Sequence, residues 1–171
     1  LFHLIEKCKS IGNSVIVLPL LCVNDLKNYE GINAFLKSIK PVTENALNYG
    51  VTITLEVSLK AEIVVEALKT NKMNVPICFD FGNATASGFN IAEEILALKH
   101  YLAHVHIKDT IRKDGTNVLL GTGDVDFPSG FDALKQINYA GDFTLETTMG
   151  SDPVKNARVH YLFTQELIST L

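Results

Sequence analysis

Five β-rich runs punctuate this chain, at residues 14–20, 51–57, 75–81, 102–108 and 142–147, and a helical pattern follows each of them. Residues 28–48 keep helical spacing with a break or kink expected at Pro41, and residues 60–70, 91–98, 128–138 and 153–169 do the same. An amphipathic helix over residues 1–11 precedes them all, with Gly12 placed to end it. Only residues 109–126 read as a longer loop. Neighbouring parallel strands need long connections, so this alternation calls for a parallel sheet with helical crossovers.

Strand parity narrows the architecture. Thr52, Thr54 and Glu56 share one face of their run, Cys78 and Asp80 another, then His104, His106 and Lys108, then Thr144 and Glu146. The opposite faces carry Ile53, Leu55, Ile77, Phe79, Val105, Ile107, Phe143 and Leu145. An open sheet covered by helices on both sides would be apolar on both faces. One apolar face and one polar face describe a (β/α)8 barrel of TIM type, whose polar interior opens at the strand C-termini. Such barrels need roughly 250 residues, so 171 residues with five strands predict a partial barrel lacking about three N-terminal strands. The chain starts Leu1-Phe2-His3-Leu4, without Met and already inside a helix pattern, which fits a C-terminal barrel portion. Residues 1–171 are expected to form one domain.

Composition excludes several classes. A formal net charge of −4, from 15 Lys+Arg against 19 Asp+Glu, gives no electrostatic footprint for nucleic acid. The longest apolar stretch, residues 14–23, is too short to span a bilayer and is not laid out as a signal peptide. Cys8, Cys22 and Cys78 show no metal-ligand spacing, and lying in or beside apolar segments they read as reduced, buried thiols of a cytoplasmic protein.

Glu56, Asp80, His106 and Glu146 all fall at or near the ends of these runs. Burying unpaired charge costs several kcal/mol, so three carboxylates and an imidazole at one end of a sheet need a cation to hold them. Oxygen-rich donors with one imidazole suit a divalent ion: Mn first, with Mg, Co or Zn as alternatives. Four protein ligands leave room for two neighbouring substrate oxygens. A cation there polarises a carbonyl and acidifies the adjacent C–H, with Glu56 and Glu146 placed to remove and return the proton.

The runs VTITLEV, PICFDFGNA, HVHIKDT, GTGDVDF and INYAGDFTLE, in this order, resemble the C-terminal two thirds of the sugar (phosphate) isomerase/epimerase superfamily, the xylose isomerase-like TIM barrels. Within it, Asp80-Phe81-Gly82-Asn83 and His106-Ile107-Lys108-Asp109-Thr110 resemble the branch of pentulose- and hexulose-phosphate epimerases and isomerases. The resemblance implies metal ligation by Glu56, Asp80, His106 and Glu146, acid/base roles for Glu56 and Glu146, and an enediolate intermediate. It implies substrate contact by Arg112; Asn83 and Lys108 are further candidates, Asn83 as a partner for a sugar hydroxyl where many members carry His. Lys108 is read as a holder of a substrate anion or a partner of Asp109 or Glu146, and the Gly121-Thr122-Gly123-Asp124 loop as a phosphate lining.

The expected function is therefore a divalent-metal-dependent sugar or sugar-phosphate epimerase or isomerase, an isomerase of carbohydrate metabolism. Its partner is a small sugar, with a second copy of the chain as a further candidate and neither nucleic acid nor membrane. Two alternatives stand beside it: an endonuclease IV-like metal-dependent AP endonuclease, and a non-catalytic barrel remnant.

Overall fold

The computed structural model describes residues 1–171, the whole sequence. In chain order the elements are α1 (Phe2–Ser10), β1 (Val15–Leu20), a short 3-10 turn (Cys22–Asn24), α2 (Tyr29–Asn48), β2 (Thr52–Val57), α3 (Ala61–Thr70), β3 (Ile77–Asp80), α4 (Phe81–Ala86), α5 (Ile91–Leu98), β4 (Leu102–Ile107), β5 (Asp109–Ile111), β6 (Thr116–Val118), α6 (Phe127–Gln136), β7 (Asp142–Leu145) and α7 (Pro153–Ile168). The larger sheet has five strands in the order β1-β2-β3-β4-β7, while β5 and β6 pair separately. Two compact units share the chain: Leu1–Cys78 with His100–Ala103, and Phe79–Lys99 with His104–Leu171. Strands β3 and β4 each begin in the first unit and end in the second.

In the first unit β1 runs parallel to β2 with Leu18 opposite Leu55 and Pro19 opposite Glu56. Strand β2 runs parallel to β3 with Glu56 opposite Cys78. Pro19 has no N–H to give a ladder, and it occupies the strand that ends the sheet order, where that loss is tolerated. Helix α2 runs unbroken through Pro41, so the expected interruption does not occur. Its buried stripe of Ile32, Leu36, Ile39 and Ala46 offsets the roughly 3 kcal/mol a proline costs inside a helix. Helix α1 ends as expected: Gly12 takes φ +73°, its N–H donates to Lys9 O, and Asn13 N–H donates to Cys8 O.

The second unit is built on aromatic rings. Phe81 meets Phe79, Phe127 and Phe131 at centroid distances of 5.6, 5.9 and 5.9 Å, and Phe131 stacks on Phe143 at 5.5 Å. Gly130 lets α6 close onto this cluster: a Cβ there would lie within 2.8 Å of Ile91 Cγ2 and Phe81 Cζ. Gly130→Ala is therefore expected to destabilise the protein by about 1–3 kcal/mol, read as a lower urea midpoint at unchanged slope. An unchanged midpoint would show that the ring cluster yields freely.

Several sequence expectations are corrected. Residues 81–86 form α4, where sequence reading ended a strand at Phe81 and named no helix before residue 91; the Asp80 side chain caps a helix whose Gly, Asn and Thr content hides it from pattern reading. Residues 109–126 contain the β5–β6 hairpin, its turn made with Gly115 at φ +73°. Strand β7 stops at Leu145, and its polar residues Asp142 and Thr144 are exposed instead of enclosed. Cys8 and Cys78 are buried thiols as expected, but Cys22 is exposed, because it lies in the 3-10 turn that follows β1.

Candidate metal centre

Asp80 is the last residue of β3 and the N-cap of α4, and the cap fixes one of its oxygens. Its Oδ1 accepts from the Asn83 backbone N–H at 2.6 Å, satisfying one open donor of the first helical turn. Its Oδ2 is turned toward β4, 3.2 Å from Lys108 Nζ and 3.8 Å from His106 Nδ1. His106 reaches this point because the inward parity of β4 carries it beside His104, the two rings meeting edge to face at 5.4 Å. His104 Nε2 lies 2.8 Å from Thr144 Oγ1 on β7.

Glu146 follows β7 directly, and its N–H extends the β4–β7 ladder by donating to Ile107 O at 3.1 Å. Its two oxygens divide between neighbours: Oε2 is 2.9 Å from His106 Nδ1 and Oε1 is 3.0 Å from Lys108 Nζ. Asp80, His106 and Glu146 each offer a ligand atom, all within 4.8 Å of one another. Two carboxylates and an imidazole this close are a donor set for a hard or borderline divalent cation. Asp80 and His106 are buried, and the Glu146 side chain is 48% exposed.

Burial works against charge on both Lys108 and Glu146, yet their pairing prevails. Asp80 and Glu146 together hold the Lys108 ammonium above its ordinary range, and Lys108 with His106 holds the Glu146 carboxyl below its own. For His104, burial and then the charge of His106 push the imidazole down. A carboxyl depressed by folding contributes stability that is present above its unfolded value and is lost as pH falls through the folded one. In metal-free protein the stability gap between wild type and Glu146→Gln is therefore expected to close as pH drops below the usual carboxylate range. Urea midpoints from pH 7 to pH 3 would show it; a gap that stays constant would remove the pairing from the stability of the fold.

Of the remaining candidates, Glu56 is buried near the end of β2 in the first unit, 4% exposed and in register with Cys78. Asn83 lies in the first turn of α4, its Oδ1 accepting from Lys108 Nζ at 3.3 Å. Arg112 does not join this group. It is exposed, its N–H donates to Asp124 Oδ2 at 2.8 Å, and it lines a separate small cleft with Phe89, Asn90, Asp126 and Ser129. Nor do the Gly121 and Gly123 N–H groups face a free anion site. They donate to Asp109 Oδ2 at 2.8 and 2.9 Å, while Thr110 and Val125 N–H donate to Oδ1 at 2.8 and 3.3 Å. The anion of that loop is the chain's own. Sequence reading named Asp109 only as a partner for Lys108 and missed its hold on this loop; the one available signal was a carboxylate twelve residues before a Gly-x-Gly loop.

A family model described as xylose isomerase-like TIM barrel matches residues 1–166. The chain belongs to that family. Among curated xylose isomerase-like relatives, it is 31% identical over 136 residues to the L-ribulose 3-epimerase of Methylomonas sp.. It is also 31% identical over 125 residues to the L-ribulose-5-phosphate 3-epimerase UlaE of Escherichia coli. These alignments take in 80% and 70% of the chain but only 42% and 44% of the two relatives. The IOLI protein, solved with a zinc atom, matches at a TM-score of 0.81 and 21% identity, covering 99% of this chain and 68% of that structure. The five parallel strands with their helices are thus a TIM-barrel-like fold that is partial relative to its solved neighbours, as strand parity predicted.

Proposed function

We propose that this chain carries the metal-holding and proton-transferring side of a sugar or sugar-phosphate epimerase or isomerase. The observation that carries the reading is the convergence of Asp80, His106 and Glu146 at the C-terminal ends of their strands, the end at which TIM-barrel sites are built. Glu56 is proposed as the fourth ligand of the group. The donor set suits Mn, with Mg, Co or Zn as alternatives. When bound, the cation would polarise a sugar carbonyl and acidify the neighbouring C–H.

The chain's own residues do the rest. Glu146, ionised and partly open to solvent, is the proposed base that takes a proton from a sugar carbon and gives an enediolate. Glu56 returns a proton, and return on the opposite face inverts the carbon. Asn83 and Lys108 offer polar atoms beside the site, while Arg112, which lines a separate cleft, is proposed as a substrate contact on the family resemblance alone. The named relatives act on L-ribulose and on its 5-phosphate, which supports a ketose or ketose phosphate as substrate. A cytoplasmic location is part of the proposal; no helix is long and apolar enough to cross a membrane.

The test is solvent exchange. Ketoses and their phosphates incubated with the protein and Mn in D2O should gain deuterium at the epimerised carbon, with one divalent ion bound per chain. Metal binding without deuterium uptake from any ketose, aldose or phosphate ester would reduce the chain to a non-catalytic barrel portion. Three bound zinc ions with cleavage of abasic DNA would favour the nuclease reading instead.

A further inference from the structure

Lys108 is an unusual neighbour for a metal site, because a cation placed among ligands repels the cation they are meant to bind. It is 6% exposed, and its ammonium meets three acceptors, two from the β3–α4 run and one just after β7. These are Glu146 Oε1 at 3.0 Å, Asp80 Oδ2 at 3.2 Å and Asn83 Oδ1 at 3.3 Å. The first two are ion pairs and the third is a hydrogen bond, so the ammonium is held mainly by charge.

The stem is seated as firmly as the head. It crosses the first turn of α4 at Gly82, where a Cβ would stand 2.7 and 2.8 Å from Lys108 Cγ and Cδ. Asp80, Gly82 and Asn83 of the DFGN run therefore form a receptor for this one side chain. A surface lysine pairing casually with a carboxylate has neither the missing Cβ nor the third acceptor.

We propose that Lys108 is a built-in counter-cation of the Asp80–Glu146 pair, a positioning residue that holds the two carboxylates in place without metal and weakens the metal that does bind. The role rests on the reading of this group as a divalent-cation site. Two of its three acceptors belong to carboxylates proposed as ligands, so ammonium and metal would share one pool of negative charge at close range.

The experiment compares chelator-treated wild type with Lys108→Met, Lys108→Gln and Lys108→Arg, titrating MnCl2 by calorimetry and reading thermal midpoints with and without Mn. Both neutral variants should bind Mn about tenfold or more tightly, on the scale of one like charge removed from the site. They should also melt lower than wild type without metal and gain more from adding it. Lys108→Arg, which keeps the charge, should stay within about threefold of wild type on the same scale. Neutral variants with wild-type Mn affinity would overturn the role while leaving the metal site standing. Lys108→Arg shifting as far as Lys108→Met would overturn it as well, since shape rather than charge would then be responsible. Absence of Mn binding by every form would overturn the metal reading itself, and this role with it.

Discussion

Glu146→Gln is expected to lower ketose epimerisation by about 10²–10⁴-fold, the range that a positioned general acid or base supplies. Gln keeps the volume and leaves an oxygen to face Lys108 Nζ, which Glu146 Oε1 now meets at 3.0 Å. What it loses is the capacity to take a proton and the charge that draws a cation. The native carboxyl suits a base because Lys108 and His106 keep it ionised despite partial burial. Measuring Mn affinity and turnover on the same sample separates the two losses. Turnover within about threefold of wild type with Mn still bound would sink the acid/base assignment, because such a residue is worth far more than that.

Asp109→Ala is expected to destabilise the fold by about 3 kcal/mol or more, since each orphaned donor costs about 1–3 kcal/mol where water cannot replace its partner. The Asp109 carboxylate is 1% exposed and accepts from the backbone N–H groups of Thr110, Gly121, Gly123 and Val125. Gly123 approaches so closely that any Cβ there would collide with that carboxylate. Asp109→Asn should be nearly as harmful, because its amide turns a donor toward N–H groups that need an acceptor. Urea unfolding reads both, and a loss under about 1 kcal/mol would show that the loop holds itself.

The sheet was legible because hydrophobic period and strand length are local properties. The runs containing Glu56, Asp80, His106 and Glu146 could be located, and their parity compared, without knowing what each strand pairs with. Helix α4 was not legible, because its stability comes from one cap supplied by Asp80 rather than from periodicity. The β5–β6 hairpin escaped for a similar reason: strands of three residues are too short to show alternation. The Gly-x-Gly loop misled most, since glycines suited to a phosphate suit an internal carboxylate equally well. Only its folded distance to Asp109 tells the two apart.

The sequence alone was enough to nominate Glu56, Asp80, His106 and Glu146 as candidate site residues. Charge at the close of an apolar run has a desolvation cost wherever the strand lies, so its presence signals a site before any neighbour is known. What only the tertiary structure decided is which groups neutralise that charge. Lys108 lies 28 residues beyond Asp80 and 38 before Glu146; the sequence offered Glu146 among its possible partners but could not choose it, and did not offer Asp80. Parallel pairing of β4 with β7 brings Glu146 beside His106, and the missing Cβ of Gly82 makes room for the Lys108 stem. Hydrogen-bond geometry then joins residues that spacing along the chain cannot.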